Sequence, residues 1–522
     1  MVFTPESEEL VSTFCLEIAL IKEHNGAGLA TQIDSIVKRF MSPSQVTCFC
    51  FDGQYFKLGV DKELKTMGYQ SANFEWDAAH RLQLAENDFR QGRKQEPKVT
   101  KLSWLEKSLA CISAVISEVN FGKSLDIFWD IAEDSKIDIL SLKGYSTTRF
   151  APYVSRVFSA LLRDFKPVVL TLEQIGSSCG EVKKRERCKF AATNMKTFSF
   201  LGTLLLLDDF YNVWGILSAE LQIVNSLPHQ RIASVEKTVQ KLKEMAKIID
   251  LDGKVDFDKL KMWKSLLQLP VHISTFEYYG LPLSLGKGIG DQSILEFVCS
   301  RASELCSRAV SAINFRFPEL SQPESWCSTF IGELTNAYCG SSYNTASYTE
   351  KLRECDECCV DQAESLLIRV SCDQIARKNK TAETCLRNKL EVEALKEIFT
   401  RPDYYNNRSA LLRHLAQYIM AVSVESVVES IGSILRHRSN CHELSMEALN
   451  EEVKIGWQGP SIPLCGGLMK KAFNIHFGGP DKWNFTNIDD GANSNIQARL
   501  WSGCPQTSQN IHSLTSKFSS AQ

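Results

Sequence analysis

The hydrophobic positions along the chain form a short opening of mixed α/β character, followed by a long helical body. Residues 12–21 (STFCLEIALI) are a short apolar run that predicts a strand, and residues 28–40 carry apolar side chains at helical spacing. The run 46–51 (VTCFCF) is apolar on both alternating faces, as in a strand buried within a sheet. It ends at Asp52 and Gly53. Because sites in open α/β sheets form at the carboxyl ends of strands, Asp52 is a candidate site residue.

The stretch 74–89 (FEWDAAHRLQLAENDF) has the apolar spacing of an amphipathic α-helix. Its predicted core face consists of Ala78, Leu82, Ala85 and Phe89. Asp77 and His80 are three residues apart and are predicted to be surface neighbours away from that face. The simplest interpretation is that Asp77 caps the helix and that His80 is a solvated or hydrogen-bonded surface residue.

Beyond residue 100 the apolar positions follow long helical periods. These patterns cover 104–119, 147–175, 188–222, 230–249, 256–268, 291–315, 350–377 and 381–400. The segment 286–290 (GKGIG) lacks the spacing of a phosphate-binding loop and is interpreted as a flexible turn. The block 409–440 has a strong apolar stripe, with Glu425 and Glu429 on one flank. From about residue 488 the sequence predicts a loose tail.

Composition and charge narrow the classes of function. The chain of 522 residues is 44% hydrophobic and 23% charged, which is typical of a globular protein with more than one core. The formal net charge of −3 lacks the basic excess of a protein that works mainly on nucleic acid. Two basic clusters, at 93–101 and 183–189, are interpreted as solvated loops, with phosphate contact or a weak nuclear signal as the alternative.

The apolar and cysteine-rich segments indicate an intracellular protein without a membrane span. The acidic start does not resemble a signal peptide, and the apolar run 200–207 stops at Asp208 and Asp209, far short of a membrane span. The 18 cysteines are therefore expected to be reduced thiols. The segment 354–359 (ECDECC) contains half of a zinc-ligand pattern, but it lacks a second pair and is interpreted as a cysteine-rich helix.

Three blocks together resemble the hAT superfamily of DNA transposases and the host proteins derived from them. The segment 48–56 (CFCFDGQYF) resembles the strand-Asp-Gly element of that family, and 76–89 resembles its helix with a [Cys/Asp]-x2-His motif. The segment 423–435 (SVESVVESIGSIL) is similar to its C-terminal catalytic and dimerisation block. The segment 147–150 (TTRF) stands where relatives have Thr-Arg-Trp.

The resemblance implies a fold that is mainly α with an α/β part. An incomplete ribonuclease-H-like core would be interrupted by a large all-helical insertion. The expected divisions are 1–100 for the N-terminal part of the core, 101–405 for the insertion, 406–465 for the return to the core with the dimerisation region, and 466–522 for a loop-rich tail.

The resemblance also assigns site residues by position. Asp52 matches the second catalytic acid, Glu429 the last one, and Asp77 with His80 the accessory motif. Phe150 replaces a Trp that stacks on an unpaired base in relatives, and Phe retains a smaller stacking surface. The family holds Mg²⁺ or Mn²⁺ between three carboxylates.

The sequence is expected to lack an intact catalytic centre. The first acid would precede the region that matches residue 12, and the few residues before it are too short for that strand. We therefore expect no cofactor, unless an intact site binds Mg²⁺ or Mn²⁺, and a relict protein that acts by self-association through 409–460. Contact with nucleic acid is expected to be weak, and a nuclear location is favoured over a cytoplasmic one.

Two alternatives remain open at this point. In the first alternative, the chain is a fragment or an incomplete gene model of an active, metal-dependent hAT transposase. In the second alternative, it is a metal or redox protein that uses the cysteines of 354–359.

Overall fold

The computed structural model is mostly helical in the part of the chain that it describes, which confirms the predicted mainly α class. That part comprises residues 2–3, 11–12, 21–93, 100–137, 142, 151–223, 226–250, 252–285, 291–322, 324–355, 358–373, 387–401 and 410–421. The chain forms two compact units, which are described separately.

The first unit is described over residues 2–3, 11–12, 21–46 and 55–72. Its strands β1 (Val2–Phe3) and β2 (Val11–Ser12) pair antiparallel, and most of the strand predicted over 12–21 lies outside the described residues. The helix predicted over 28–40 is confirmed as α1 (Gly26–Val37), and it packs against α3 (Val60–Thr66).

A partly buried hydrogen bond stabilises this first unit. The hydroxyl of Tyr69 donates to Asp34 Oδ1 over 3.0 Å, and Tyr69 itself is fully buried. Burial and the contact with Asp34 together raise the pKa of Tyr69 to about 12. The phenol therefore remains a neutral donor at physiological pH.

The second unit contains the parallel pair β3 (Cys48–Phe51) and β4 (Asn73–Trp76), the short hairpin of β5 (Glu277–Tyr278) and β6 (Leu281–Pro282), and most of the helices. A short helix, α2 (Gly53–Lys57), follows β3. The helices of the second unit are α4 (Ala78–Gln91), α5 (Ser103–Val119), α6 (Lys123–Asp134), α7 (Ala151–Arg163), α8 (Phe165–Ser178), α9 (Val182–Met195), α10 (Phe198–Leu221), α11 (Pro228–Ala246), α12 (Phe257–Leu260), α13 (Leu269–Thr275), α14 (Asp291–Arg316), α15 (Trp326–Cys339), α16 (Ala346–Cys355), α17 (Cys358–Asp373), α18 (Arg387–Thr400) and α19 (Ala410–Ile419).

Most of the predicted helical stretches are confirmed where the structure describes them, and several consist of two helices. The stretch 256–268 was wrong, because it contains only α12 and the 3-10 turn Leu266–Gln268. Residues 147–150, 374–377 and 381–386 of the other stretches lie outside the described part. The stretch 188–222 contains the end of α9 and the whole of α10, separated where Thr197 caps α10 by accepting a hydrogen bond from Phe200 N. The basic cluster 183–189 lies within α9, so its interpretation as a loop was wrong. In the cysteine-rich segment 354–359 the described residues are helical, since they belong to the end of α16 and the start of α17, while residues 356–357 lie outside the described part.

The helix α10 lies at the centre of the apolar core of the second unit. It packs against α7, α11 and α14, and almost all of its side chains are buried, which explains why it is apolar on every face. Among the described helices it alone is long and apolar enough to cross a membrane by length and composition, and 89% of its most apolar stretch is buried inside the protein.

Asp208 and Asp209 do not end α10, because both carboxylates have buried hydrogen-bond donors. Asp208 Oδ2 accepts from Ser265 Oγ over 2.8 Å. Asp209 Oδ2 accepts from the backbone N–H groups of Ser265 and Leu266, each over 2.9 Å. Asp209 thus caps the start of the 3-10 turn Leu266–Gln268, and Asp208 binds the side chain of Ser265, so that both join the turn to the central helix.

Burial is the largest influence on the pKa of Asp209. It raises the pKa of the carboxyl group from 3.8 to about 6, although the two backbone hydrogen bonds act in the opposite direction. The folded state therefore holds the proton more tightly than the unfolded state does, and ionisation of Asp209 costs folding free energy as the pH rises through 6.

We predict that Asp209→Asn removes this pH dependence. Between about pH 4 and pH 7 the free energy of unfolding of the wild type should fall relative to the variant by up to roughly 3 kcal/mol, since one pKa unit corresponds to about 1.4 kcal/mol. Urea denaturation at several pH values measures the difference. A difference that stays constant over this range would contradict the prediction.

A candidate site at the edge of the parallel strands

The parallel pairing of β3 with β4 brings two separated carboxylates to the same edge. Phe51 is in register with Trp76, so that Asp52 and Asp77 each follow the last residue of a strand. The backbone N–H of Asp77 extends the ladder by donating to Phe51 O over 3.2 Å. Residues 74–76 were predicted to be helical, and this prediction was wrong, because they belong to β4 and the helix begins at Ala78.

Asp77 is the N-cap of α4. Its Oδ1 accepts a hydrogen bond from the backbone N–H of His80, which satisfies one of the free donors of the first turn. The predicted capping role is confirmed. The predicted surface position of Asp77 is wrong, because only 2% of the residue is exposed. The core face predicted for this helix is confirmed, since Ala78, Leu82, Ala85 and Phe89 are all buried.

Asp52 and His80 contact each other directly across this edge. His80 Nε2 lies 3.0 Å from Asp52 Oδ1, and the two side chains are 28% and 33% exposed, respectively. The same carboxylate oxygen accepts from the backbone N–H of Gln54 over 3.3 Å, at the start of α2. Spacing along the chain did not predict this contact, which depends on the pairing of the two strands.

Gly53 is required by the indole ring of Trp76. A Cβ atom at Gly53 would lie 2.4 Å from Trp76 Cζ2 and 2.7 Å from Cε2, far inside van der Waals contact. Gly53 is itself buried. Packing therefore explains why glycine follows Asp52, because the ring of Trp76 occupies the space that a side chain at position 53 would need.

Buried charges attach α4 to the helical body. Arg316, at the end of α14, holds Asp88 through two hydrogen bonds, with Nε to Oδ2 at 2.6 Å and Nη2 to Oδ1 at 2.8 Å. Arg81 pairs with Glu319, and its guanidinium lies 4.5 Å from the ring centre of Phe317. These contacts leave His80, on the same helix, with little freedom to move away from Asp52.

A further buried cluster lies on the other flank of α4. Glu86 accepts from the hydroxyl of Tyr211 over 2.8 Å and from Arg90 Nη1 over 3.3 Å. Arg90 Nε also donates to Glu106 on α5 over 2.9 Å. Burial raises the pKa of Glu86, while Arg90 and Tyr211 favour its charged form. The helix is thus joined to α5 and α10 as well as to α14.

The resemblance implies a divalent metal ion held between three carboxylates, and the described residues at this edge do not supply three by themselves. Among the residues that the structure describes, no group of three or more His, Cys, Asp or Glu side chains could hold a metal ion. Asp52 Oδ1 already has two donors, and the Asp77 carboxylate is buried and caps a helix. Glu429 and Phe150 lie outside the described residues, and their expected roles remain predictions.

A second polar cluster, which the sequence analysis missed, joins α11 to α18 and α19. His229 Nε2 lies 3.0 Å from Glu391 Oε2, and its Nδ1 lies 3.1 Å from the hydroxyl of Tyr418. Gln230 Nε2 donates to the same carboxylate oxygen over 2.6 Å. Although burial opposes it, these bonds lower the pKa of Glu391. No local sequence signal joins these residues, which come from three helices.

The side chain of Arg231 is buried beside this cluster. Its Nη1 donates to Ser226 O over 2.9 Å, and its Nη2 donates to Ala421 O over 2.8 Å. Since Ala421 lies two residues beyond the end of α19, Arg231 fixes the chain just after the last described helix. The region 409–460 is predicted to supply a dimer surface, and this stays a prediction. Its described helix, α19, packs against α15 and α17, and residues 422–460 lie outside the described part.

Comparison with family models, with curated proteins and with solved structures gives no match for this chain. The resemblance to hAT transposases therefore remains a prediction that rests on the short motifs quoted above.

We predict that Gly53→Ala disturbs the site edge and destabilises the second unit. The added methyl group must displace the Trp76 ring, which should lower the free energy of unfolding by about 1–3 kcal/mol, as in other cases of overpacking. Urea denaturation followed by tryptophan fluorescence measures this change.

Gly180→Ala is the matched control, because a Cβ at Gly180 meets no atom within 4 Å. It should change the free energy of unfolding by about 0.5 kcal/mol or less. Equal effects of the two substitutions would contradict the packing role of Gly53.

Proposed function

We propose that this protein is a transposase-derived protein whose relict catalytic edge no longer cleaves DNA and which acts by associating with copies of itself. In this proposal β3, β4 and α4 belong to a ribonuclease-H-like core, the helices from α5 to α18 form the insertion, and α19 begins the return to the core. The observation that supports it best is the contact between Asp52 and His80, which unites two of the motifs behind the resemblance at one sheet edge.

The chemistry of the edge supports loss of catalysis. A two-metal nuclease centre needs carboxylate oxygens that are free to coordinate, because the ions must orient both the attacking and the leaving oxygen. Here the Asp52 oxygen that faces His80 also receives a backbone N–H, and Asp77 stabilises the start of α4. Both carboxylates thus accept hydrogen bonds that stabilise the local structure without a metal ion.

The charge of the chain supports association with protein rather than with nucleic acid as the main activity. The formal net charge of −3 gives little attraction for a phosphate backbone. The stripe predicted in 424–435 is strongly apolar, with Val424, Val427, Val428, Ile431, Ile434 and Leu435 at helical spacing. Such a stripe is typical of a surface that is buried against a partner.

A nicking assay tests the loss of catalysis. We predict that the purified full chain does not nick supercoiled plasmid in the presence of Mg²⁺ or Mn²⁺, and that Asp52→Asn behaves like the wild type. Gel electrophoresis of the plasmid measures the outcome. Metal-dependent nicking that Asp52→Asn abolishes would contradict the proposal and favour an active transposase.

Sedimentation equilibrium tests the association. We predict that the full chain is a dimer and that Val428→Asp makes it monomeric, because a charge in the apolar stripe would be buried without a partner. Ser433→Asp is the matched control, since position 433 lies opposite the stripe of the predicted helix and should leave the dimer intact. A monomeric wild type, or equal effects of the two variants, would contradict this part of the proposal.

A further inference from the structure

A groove of about 470 Å³ opens between α5, the junction of α9 and α10, and α14. The polar and aromatic side chains that matter for its chemistry are Trp104, Lys107, Asn194, Ser199, Thr203 and Arg301. Among the described residues that line it there are two cationic side chains and no carboxylate. The groove is therefore electrostatically suited to an anion.

Arg301 is the central cation of this groove. Its Nη1 donates to Thr203 Oγ1 over 3.3 Å, and its guanidinium carbon lies 4.0 Å from the ring centre of Phe297 and 5.0 Å from that of Trp104. In the described part of the chain no carboxylate comes within 4.0 Å of it, and its Nε and Nη2 donate to no described residue. These donors are positioned by aromatic contacts and remain available to a ligand.

The carboxylate whose charge acts on Arg301, that of Glu304, is engaged elsewhere. Glu304 Oε2 accepts from Trp104 Nε1 over 3.0 Å, and Oε1 pairs with Arg308 Nη2 at 2.9 Å. Partial burial lowers the pKa of Arg301, and the more distant charge of Glu304 offsets this only in part. A partly buried cation without an adjacent counter-ion gains most from an anion that brings its own acceptor oxygens.

We propose that this groove binds a phosphate group. A guanidinium with free N–H donors matches the oxygens of phosphate, and Lys107 adds a second positive charge. The hydroxyl of Ser199 lines the same groove. Trp104 lines the same groove and provides an aromatic surface next to the cation, which suits a planar base attached to the phosphate.

The phosphate can come from a free nucleotide or from the backbone of a nucleic-acid strand. The proposal does not depend on the transposase-derived origin proposed above, because it rests on residues of α5, α10 and α14 and not on the strand edge.

Isothermal titration calorimetry with the full chain tests the proposal. The probes are inorganic phosphate, adenosine monophosphate and an oligothymidylate, each titrated against a background of sodium chloride at matched ionic strength. We expect saturable binding of inorganic phosphate and of adenosine monophosphate. Arg301→Gln should weaken it roughly tenfold or more, because it removes a charge-assisted hydrogen bond.

Two further variants separate the groove from general charge effects. Lys107→Gln changes an exposed residue of the groove and should weaken binding several-fold without affecting the fold, so it replaces Arg301→Gln if that variant does not fold. Lys241→Gln, an exposed lysine on α11 that does not line the groove, should bind like the wild type.

The outcomes distinguish the two sources. Displacement of adenosine monophosphate by the oligothymidylate would identify a nucleic-acid backbone as the source, and failure to displace it would identify a free nucleotide. Either result supports a phosphate site. The proposal is overturned if no probe binds above the chloride background, or if binding is unchanged in the folded groove variants.

Discussion

The parallel pairing of β3 with β4 is the constraint on which the candidate site depends. Without this pairing, Asp52 would follow an unpaired strand, and Asp77 would lie at the start of a helix with no fixed position relative to Asp52. With Phe51 opposite Trp76, both carboxylates lie at one edge, and the first turn of α4 presents His80 to Asp52 at 3.0 Å. Parallel strands require a connection that returns the chain to the same end, and α3 lies within that connection.

Side chains from distant helices hold this edge in place. Asp88 on α4 is clamped by Arg316, and Glu86 is satisfied by Tyr211 and Arg90, so the helix that carries His80 is joined to the helical body by buried charges. Removing one partner of such a pair leaves an uncompensated buried charge and destabilises the fold, so each pair needs both of its residues. The contact between Asp52 and His80 is therefore a consequence of packing and does not require a ligand.

Local periodicity predicted the helices well and the contacts poorly. The core face of α4 follows from the spacing of Ala78, Leu82, Ala85 and Phe89, whereas β4 escaped notice because four residues next to a helix pattern look like its first turn. Strands this short are defined by their partner, and that partner is distant in sequence. The groove around Arg301 could not be predicted, because its walls come from four helices that meet only in the folded protein.

The central claim is that the carboxylate of Asp52 serves packing rather than metal coordination. Electron paramagnetic resonance of free Mn²⁺ during titration of the full chain tests it most directly. The account predicts the same Mn²⁺ binding in the wild type and in Asp52→Asn. A tightly bound Mn²⁺ ion in the wild type that is lost in Asp52→Asn would contradict it.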